Sequence, residues 1–200
     1  LISIGGNSTS NVLSIESNFE EIIAVDSGLE HLLNLSLNPH TLIGDLDSIS
    51  KKSLDEVKKN GVKTLAFNSN KDQTDFELAL NYLEEAEKSK VYIIGGESGE
   101  IDHLISIFLL IPSKSFFENI IWLYGDKKII FRQKLELNIE KSTKFSIIPL
   151  ADLKNLSIDG SEWNLDNKDI QFGETLTLRN ITNEEQLNIK CDKGVFALIY

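Results

Sequence analysis

The chain has 200 residues and a mass of 22.5 kDa, room for one large domain or two small ones at about 150 residues per domain. Hydrophobic residues make up 41% and charged residues 26%, a balance that excludes an intrinsically disordered chain and provides for a core. Lys and Arg number 20 against 31 Asp and Glu, for a net charge of −11 and a pI near 4.8. Nucleic acid and anionic membrane surfaces are therefore disfavoured as partners.

Along the first 125 residues, short apolar runs alternate with helical periodicity. Residues 1–4 and 22–25 read as buried strands, and 41–43, 63–67 and 91–94 follow in the same style, closed by 120–124. Residues 28–37 and 53–60 read as helices. In 75–88, Phe76, Ala79, Leu80 and Leu83 share one helical face. Strand then helix, repeated, predicts an α/β domain built on a parallel, Rossmann-like sheet. After Gly125-Asp126 the pattern turns to strands: 128–133, 135–140, 144–149, 156–158, 170–172, 175–179, 186–190 and 195–200. Turn signals lie at Asp159-Gly160, Asp166-Asn167 and Asp192-Lys193-Gly194. They predict a C-terminal all-β sandwich, with domains at 1–125 and 126–200.

Cys191 is the only cysteine, so neither an intrachain disulfide nor a cysteine metal cluster is available, which suits a cytoplasmic protein. The longest apolar runs, such as 104–112, fall short of the roughly 20 residues that a membrane helix needs. No basic segment followed by an apolar stretch opens the chain, which starts at Leu1.

The acidity is unevenly placed. Residues 1–125 hold 19 acids against 9 lysines, net −10, whereas residues 126–200 hold 12 acids against 9 lysines and 2 arginines, net −1. Solvated faces such as Glu84-Glu85-Ala86-Glu87 account for part of this. With no arginine before Arg132, phosphate handling in the first part would rest on lysine, main-chain amides or carboxylate-bound Mg2+.

Four acidic spots follow predicted N-terminal strands, where an open parallel sheet places its ligands. They are Asp26, the pair Asp45 and Asp47, the pair Asp72 and Asp75, and Asp102 beside His103. Two carboxylates two residues apart on a tight turn repel unless a cation fills the space between them. The alternative for that turn is helix capping by Asp47 or Ser48. Thr74 and Glu77 have capping-box spacing, and Asp75 suits a helix dipole without any ligand. Lys71-Asp72 just ahead is unexplained by capping and suits a phosphate corner. Gly95-Gly96-Glu97-Ser98-Gly99 permits close approach to a nucleotide, although it is neither GxGxxG nor a Walker loop. His103 suits an acid/base group, a ligand or a hydrogen-bonded cap.

These pieces recur in one order. Val25-Asp26-Ser27-Gly28, Pro39, Ile43-Gly44-Asp45-Leu46-Asp47-Ser48, Lys71-Asp72-Gln73-Thr74-Asp75 with Glu77 and Ala79-Leu80, Gly95-Gly96, Gly99 and Asp102-His103 come first. Phe145-Ser146-Ile147-Ile148-Pro149-Leu150, Gly160 with Trp163-Asn164-Leu165, Phe172-Gly173 and Asn180 follow. The ordered set resembles the thiamine pyrophosphokinase family over nearly the whole chain. The resemblance implies an α/β domain, a β-sandwich domain and a homodimer with shared active sites. It also implies transfer of pyrophosphate from ATP, with Mg2+, to the hydroxyl of thiamine, giving thiamine diphosphate and AMP. Asp45, Asp47 and Asp75 would hold Mg2+, with Asp102 a further catalytic carboxylate. Asp26, Lys71, Asp72, Gln73, Thr74 and His103 would border the nucleotide, and Trp163 would stack on thiamine with Asn180 nearby. A Trp face suits a cationic ring, and a core or interface tryptophan is the plainer alternative.

Three positions depart from the family pattern. Glu100 stands where arginine is usual, Ile107 where asparagine is common, and Arg179-Asn180 where the family has Ser-Asn. Arg179 is a candidate to supply the charge lost at Glu100. Two other readings use the same residues: a non-catalytic thiamine or thiamine diphosphate binder, and a pyrophosphokinase for another alcohol such as a pterin.

Overall fold

The structure, a computed structural model, describes residues 1–9, 12–16, 18–67, 72–84 and 90–200. The chain divides into two compact units, Leu1–Leu110 with Lys114–Asp126, and Ile111–Ser113 with Lys127–Tyr200. The fold is mixed α/β. Among the described residues no helix is long and apolar enough to cross a membrane.

In the first unit, strands β1 (Ile2–Ser3), β2 (Ile23–Val25), β3 (Thr41–Gly44), β4 (Lys63–Ala66), β5 (Val91–Ile94) and β6 (Ile120–Tyr124) lie in the order β6-β5-β1-β2-β3-β4. All of their pairings are parallel. Helices α1 (Gly28–Asn34), α2 (Lys51–Lys59), α3 (Asp75–Glu84) and α4 (Ile101–Leu110) follow β2, β3, β4 and β5. Every residue of β2, β3 and β5 is buried, as a parallel sheet covered on both faces requires. β4, expected to be buried like the others, is instead the exposed edge of the sheet. Its Lys63-Thr64 start sits in water, with the Lys63 ammonium 4.8 Å from the Tyr82 ring centre.

Local chemistry sets the helix starts. Ser50, extended, accepts at its hydroxyl from Ser53 N at 3.1 Å and caps α2. The capping role that is the alternative reading for Asp47 or Ser48 thus falls to Ser50, which leaves Asp47 to the turn. Thr74 Oγ1 accepts from Glu77 N at 3.1 Å at the start of α3. Of the helix predicted over 75–88, residues 85–88 lie outside the described ones.

The second unit holds two antiparallel sheets. One runs β12 (Asn180–Ile181), β9 (Lys144–Pro149), β14 (Phe196–Ile199), β7 (Lys127–Arg132), and the other β11 (Leu165–Ile170), β10 (Leu153–Asp159), β13 (Gln186–Lys190), β8 (Lys134–Asn138). Alternate residues of β9 and β13 are buried, the pattern of strands with one face on a core. Two expectations fail here. Residues 165–170, with Asp166-Asn167 read as a turn and a strand expected only over 170–172, form the edge strand β11, which ends at Ile170 before a turn and is bent by irregular register and by Asn167 at φ 46°. Its side chains point mostly to solvent, so it carries no apolar signal. Residues 175–179, expected to be a strand, are a turn closed by Leu178 N to Thr175 O, and only Thr177 is buried.

Candidate active site

β1 lies between β2 and β5, so the chain reverses its direction of travel across the sheet there. That reversal is the switch point at which open α/β sheets hold ligands. At this carboxyl edge the first unit has a cleft of about 530 Å³. The expected residues Asp26, Asp45, Gln73, Thr74, Asp75 and His103 line it. Asp47, Asp72 and Asp102 do not, Lys71 lies outside the described residues, and Trp163 and Asn180 belong to the second unit.

Asp26 is set by strain and close approach. It sits at φ 44°, and its N–H donates to Ile43 O at 3.0 Å. Its carboxylate lies against Gly44, where a Cβ would stand 1.8 Å from Asp26 Oδ1. Glycine at 44 is what lets that carboxylate fold back over β3. Leu46, at φ 68°, donates its N–H to Asp26 Oδ1 at 3.3 Å. A leucine in the left-handed region is strained backbone, kept where the surroundings over-determine it.

The carboxyls crowd one another. Burial pushes Asp26 up to about 7, helped by the charge of Asp75, a hydrogen bond that the protonated Asp26 carboxyl donates to the Asp75 side chain and the charge of Asp45, against the opposing Leu46 N–H. Asp47, fully exposed, is raised by a side-chain hydrogen bond with Asp45 and by its charge. Carboxyls raised by one another's charge mark places where a cation would relieve repulsion. Among the described residues, no group of three or more His, Cys, Asp or Glu side chains is arranged to hold a metal ion. The donor set is nevertheless all carboxylate oxygen and fits a hard divalent ion such as Mg2+ in kind. Among the described lining residues there is no lysine or arginine, while Glu100 adds a further carboxylate.

The sequence reading missed Gly5 and Gly6, which line the cleft with Ser27, Ser48, Gly96, Ser98 and Ser106. The available signal was a glycine pair directly after the first strand. Asp102 Oδ1 accepts from His103 N at 2.8 Å within the first turn of α4.

In the second unit, Trp163, a residue 56% exposed, lies on the loop between β10 and β11. The side chain of Asn180, 5% exposed, is spent on its own surroundings. Its Oδ1 accepts from Trp163 N and Ile181 N, and its Nδ2 donates to Ser161 Oγ and Trp163 O. Arg179, at φ 59°, donates its N–H to Ser146 Oγ at 3.0 Å.

Two family profiles match the chain, "Thiamin pyrophosphokinase, catalytic domain" over residues 13–122 and "Thiamin pyrophosphokinase, vitamin B1 binding domain" over 132–196. The thiamine pyrophosphokinase of Bacillus subtilis (strain 168) is 30% identical over 183 residues, 88% of this chain and 85% of the relative. Thiamine pyrophosphokinase 1 of Oryza sativa subsp. japonica is 25% identical over 180 residues, 84% of this chain and 68% of the relative. The crystal structure of the Bacillus subtilis thiamine pyrophosphokinase superposes with a TM-score of 0.86 at 24% identity, covering 99% and 97% of the two chains. That of Candida albicans thiamin pyrophosphokinase superposes at 0.80 and 14%, covering 99% and 88%. At these identities the superpositions speak for the fold, and the profiles and the Bacillus relative for descent: the chain belongs to the thiamin pyrophosphokinase family.

Proposed function

We propose that the chain is an enzyme that binds ATP in the cleft of the first unit and transfers a pyrophosphoryl group to the hydroxyl of thiamine, giving thiamine diphosphate and AMP. The observation that carries this reading is the convergence of Asp26, Asp45 and Asp75 on one cleft at the switch point, in a chain that matches the catalytic and vitamin B1 binding domains of one family.

In the reaction the hydroxyl oxygen of thiamine attacks the β-phosphorus. The bond from that phosphorus to the oxygen shared with the α-phosphorus breaks, AMP departs with that oxygen, and the hydroxyl proton is released. Transfer to a neutral alcohol rests on positioning and on neutralising phosphate charge more than on a strong base. Mg2+ supplies that neutralisation when bound, and Asp45, Asp47 and Asp75 would hold it. Gln73 and Thr74, ahead of α3, border the cleft where main-chain N–H groups suit phosphate oxygens. Lys71 and Asp72 flank the same corner in sequence, and Asp26, Asp102 and His103 complete the nucleotide side of the assignment. Trp163 offers its exposed face to the thiazolium cation, a contact worth about 0.5–2 kcal/mol. Asn180 serves that subsite by holding the Trp163 loop.

We assign residues 1–125 to a Rossmann-like catalytic domain and residues 126–200 to a β-sandwich that binds thiamine and dimerises, in a cytoplasmic homodimer with shared active sites. On the first unit, the row Ile101, Ile105 and Leu109 on α4, exposed by 66, 52 and 58%, is an apolar stripe at four-residue spacing that supports an association with a second copy through that unit as well. The test is incubation with ATP, Mg2+ and thiamine beside Asp45→Asn, with products separated by chromatography. Equal amounts of AMP and thiamine diphosphate, lost in the variant, are expected. Thiamine binding without AMP formation would overturn the transferase reading.

A further inference from the structure

The loops that leave β1 and β5 are tied to each other across the switch point. Gly96 N donates to Gly5 O at 2.7 Å, Asn7 N to Glu97 O at 2.5 Å, and Glu97 N to Asn7 O at 3.0 Å, a short antiparallel bridge between two loops. The approach is close. A Cβ on Gly6 would stand 3.0 Å from Glu97 O, and one on Gly95 would stand 2.2 Å from Ile4 O. From the other side, a His31 ring nitrogen holds Gly6 O at 2.8 Å.

The Glu97 side chain fastens this bridge. Its Oε1 accepts from Thr9 N at 2.9 Å, its Oε2 from Thr9 Oγ1 at 2.7 Å, and it takes a further main-chain hydrogen bond from Gly125. One carboxylate thereby joins the segment after β1, its own loop after β5 and the end of β6. The cleft is lined by Gly5, Gly6, Gly96 and Ser98 but not by Glu97. Near a polyphosphate site a free carboxylate would repel the ligand; turned onto N–H and O–H donors, it makes charge-assisted hydrogen bonds that fix loop geometry.

We propose that Glu97 is a positioning residue, which holds the Gly5-Gly6 and Gly95-Gly96 loops at the spacing where their main chains form one wall of the cleft for a nucleoside triphosphate. The inference rests on the reading that ATP occupies this cleft. The Glu97 carboxylate is engaged by Thr9 and Gly125 and lies outside the lining of the cleft, so its removal acts on nucleotide binding through the loops and leaves the transfer step and thiamine recognition alone.

The experiment is steady-state kinetics with ATP and thiamine varied separately, together with calorimetric ATP binding in the presence of Mg2+. The proteins are wild type, Glu97→Ala, Glu97→Gln, Thr9→Val and the double variant Thr9→Val/Glu97→Ala. Loss of the charged acceptor is expected to raise the KM and Kd for ATP about tenfold in Glu97→Ala, with kcat and the thiamine KM within about twofold of wild type. Glu97→Gln, which keeps one acceptor oxygen, regains part of the affinity. Thr9→Val shows the same split more weakly, and the double variant equals Glu97→Ala, because the two residues act through one contact. An ATP KM and Kd within twofold of wild type in Glu97→Ala, or a thiamine KM raised equally, would overturn the proposal. Should Glu97→Ala fail to fold, Glu97→Gln and Thr9→Val carry the same test, and an unchanged ATP affinity in both counts against it. Asp45→Asn separates the two readings: if it keeps full activity, the assignment of the cleft fails, whereas a dead Asp45→Asn beside an unperturbed Glu97→Ala sinks only the positioning role.

Discussion

The side-chain amide of Asn180 pairs with both main-chain polar groups of Trp163, Trp163 N to Oδ1 at 3.2 Å and Nδ2 to Trp163 O at 2.8 Å. The remaining capacity of that amide goes to Ser161 Oγ at 3.1 Å and Ile181 N at 2.8 Å. A nearly buried amide so occupied has no bond left for a ligand, yet it holds an exposed indole ready for one.

Asn180→Ala is therefore expected to loosen Trp163. The protein has two tryptophans, and Trp122 is fully buried, with its Nε1 donating to Gly95 O at 3.0 Å. Quencher-accessible emission thus belongs to Trp163. Acrylamide quenching should rise in the variant, and the thiamine KM should rise about tenfold through loss of preorganisation, with the ATP KM unchanged. Unchanged quenching would count against the pairing.

In the metal-free protein, the stability that Asp26 contributes should be lost as pH rises from about 4 to about 7. Burial and the neighbouring Asp75 and Asp45 raise Asp26 from 3.8 to about 7. Between those values the folded chain binds more protons than the unfolded one, so the slope of unfolding free energy with pH is negative. Asp26→Asn should flatten this dependence. Thermal unfolding in chelator at pH 5 and pH 8 reads it directly, and identical slopes in both proteins would refute the assignment.

Gly44→Ala should damage the cleft through Asp26. The added Cβ meets Asp26 Oδ1 at 1.8 Å on a backbone at φ 147°, so destabilisation of about 2–3 kcal/mol is expected, with loss of AMP formation. Gly61→Ala, at φ 69° with nothing within 4 Å of the new atom, should destabilise by only about 1 kcal/mol and keep activity. Urea unfolding of both variants makes the comparison.

Ile105→Lys places a charge in the exposed row of α4. If a second copy covers that row, light scattering should show half the wild-type mass, while circular dichroism stays unchanged. Equal masses for the two proteins would remove this face from the interface.

Alternating apolar runs with intervening helical periodicity disclosed the parallel half of the chain, because strands buried on both faces are mostly apolar, as β2, β3 and β5 are. The acidic strand ends were equally legible, since ligands gather at the carboxyl edge of such a sheet and Asp26, Asp45 and Asp75 do line one cleft there. β11 escaped notice because an edge strand exposed to water needs no apolar pattern, and the turn at 175–179 passed for a strand because Leu176 and Leu178, both apolar, point outward.

By themselves, the residues determined the mixed α/β class, the change of pattern near residue 126 and the family, because periodicity and ordered motifs are local properties of a chain. Tertiary structure alone decided which carboxylates share a cleft, that Ser50 rather than Asp47 caps α2, that Asn180 binds the Trp163 main chain, and that Glu97 stays out of the cleft lining and binds Thr9, 88 residues distant. These depend on which loops the sheet order brings within hydrogen-bond reach, and no spacing along the sequence encodes that distance.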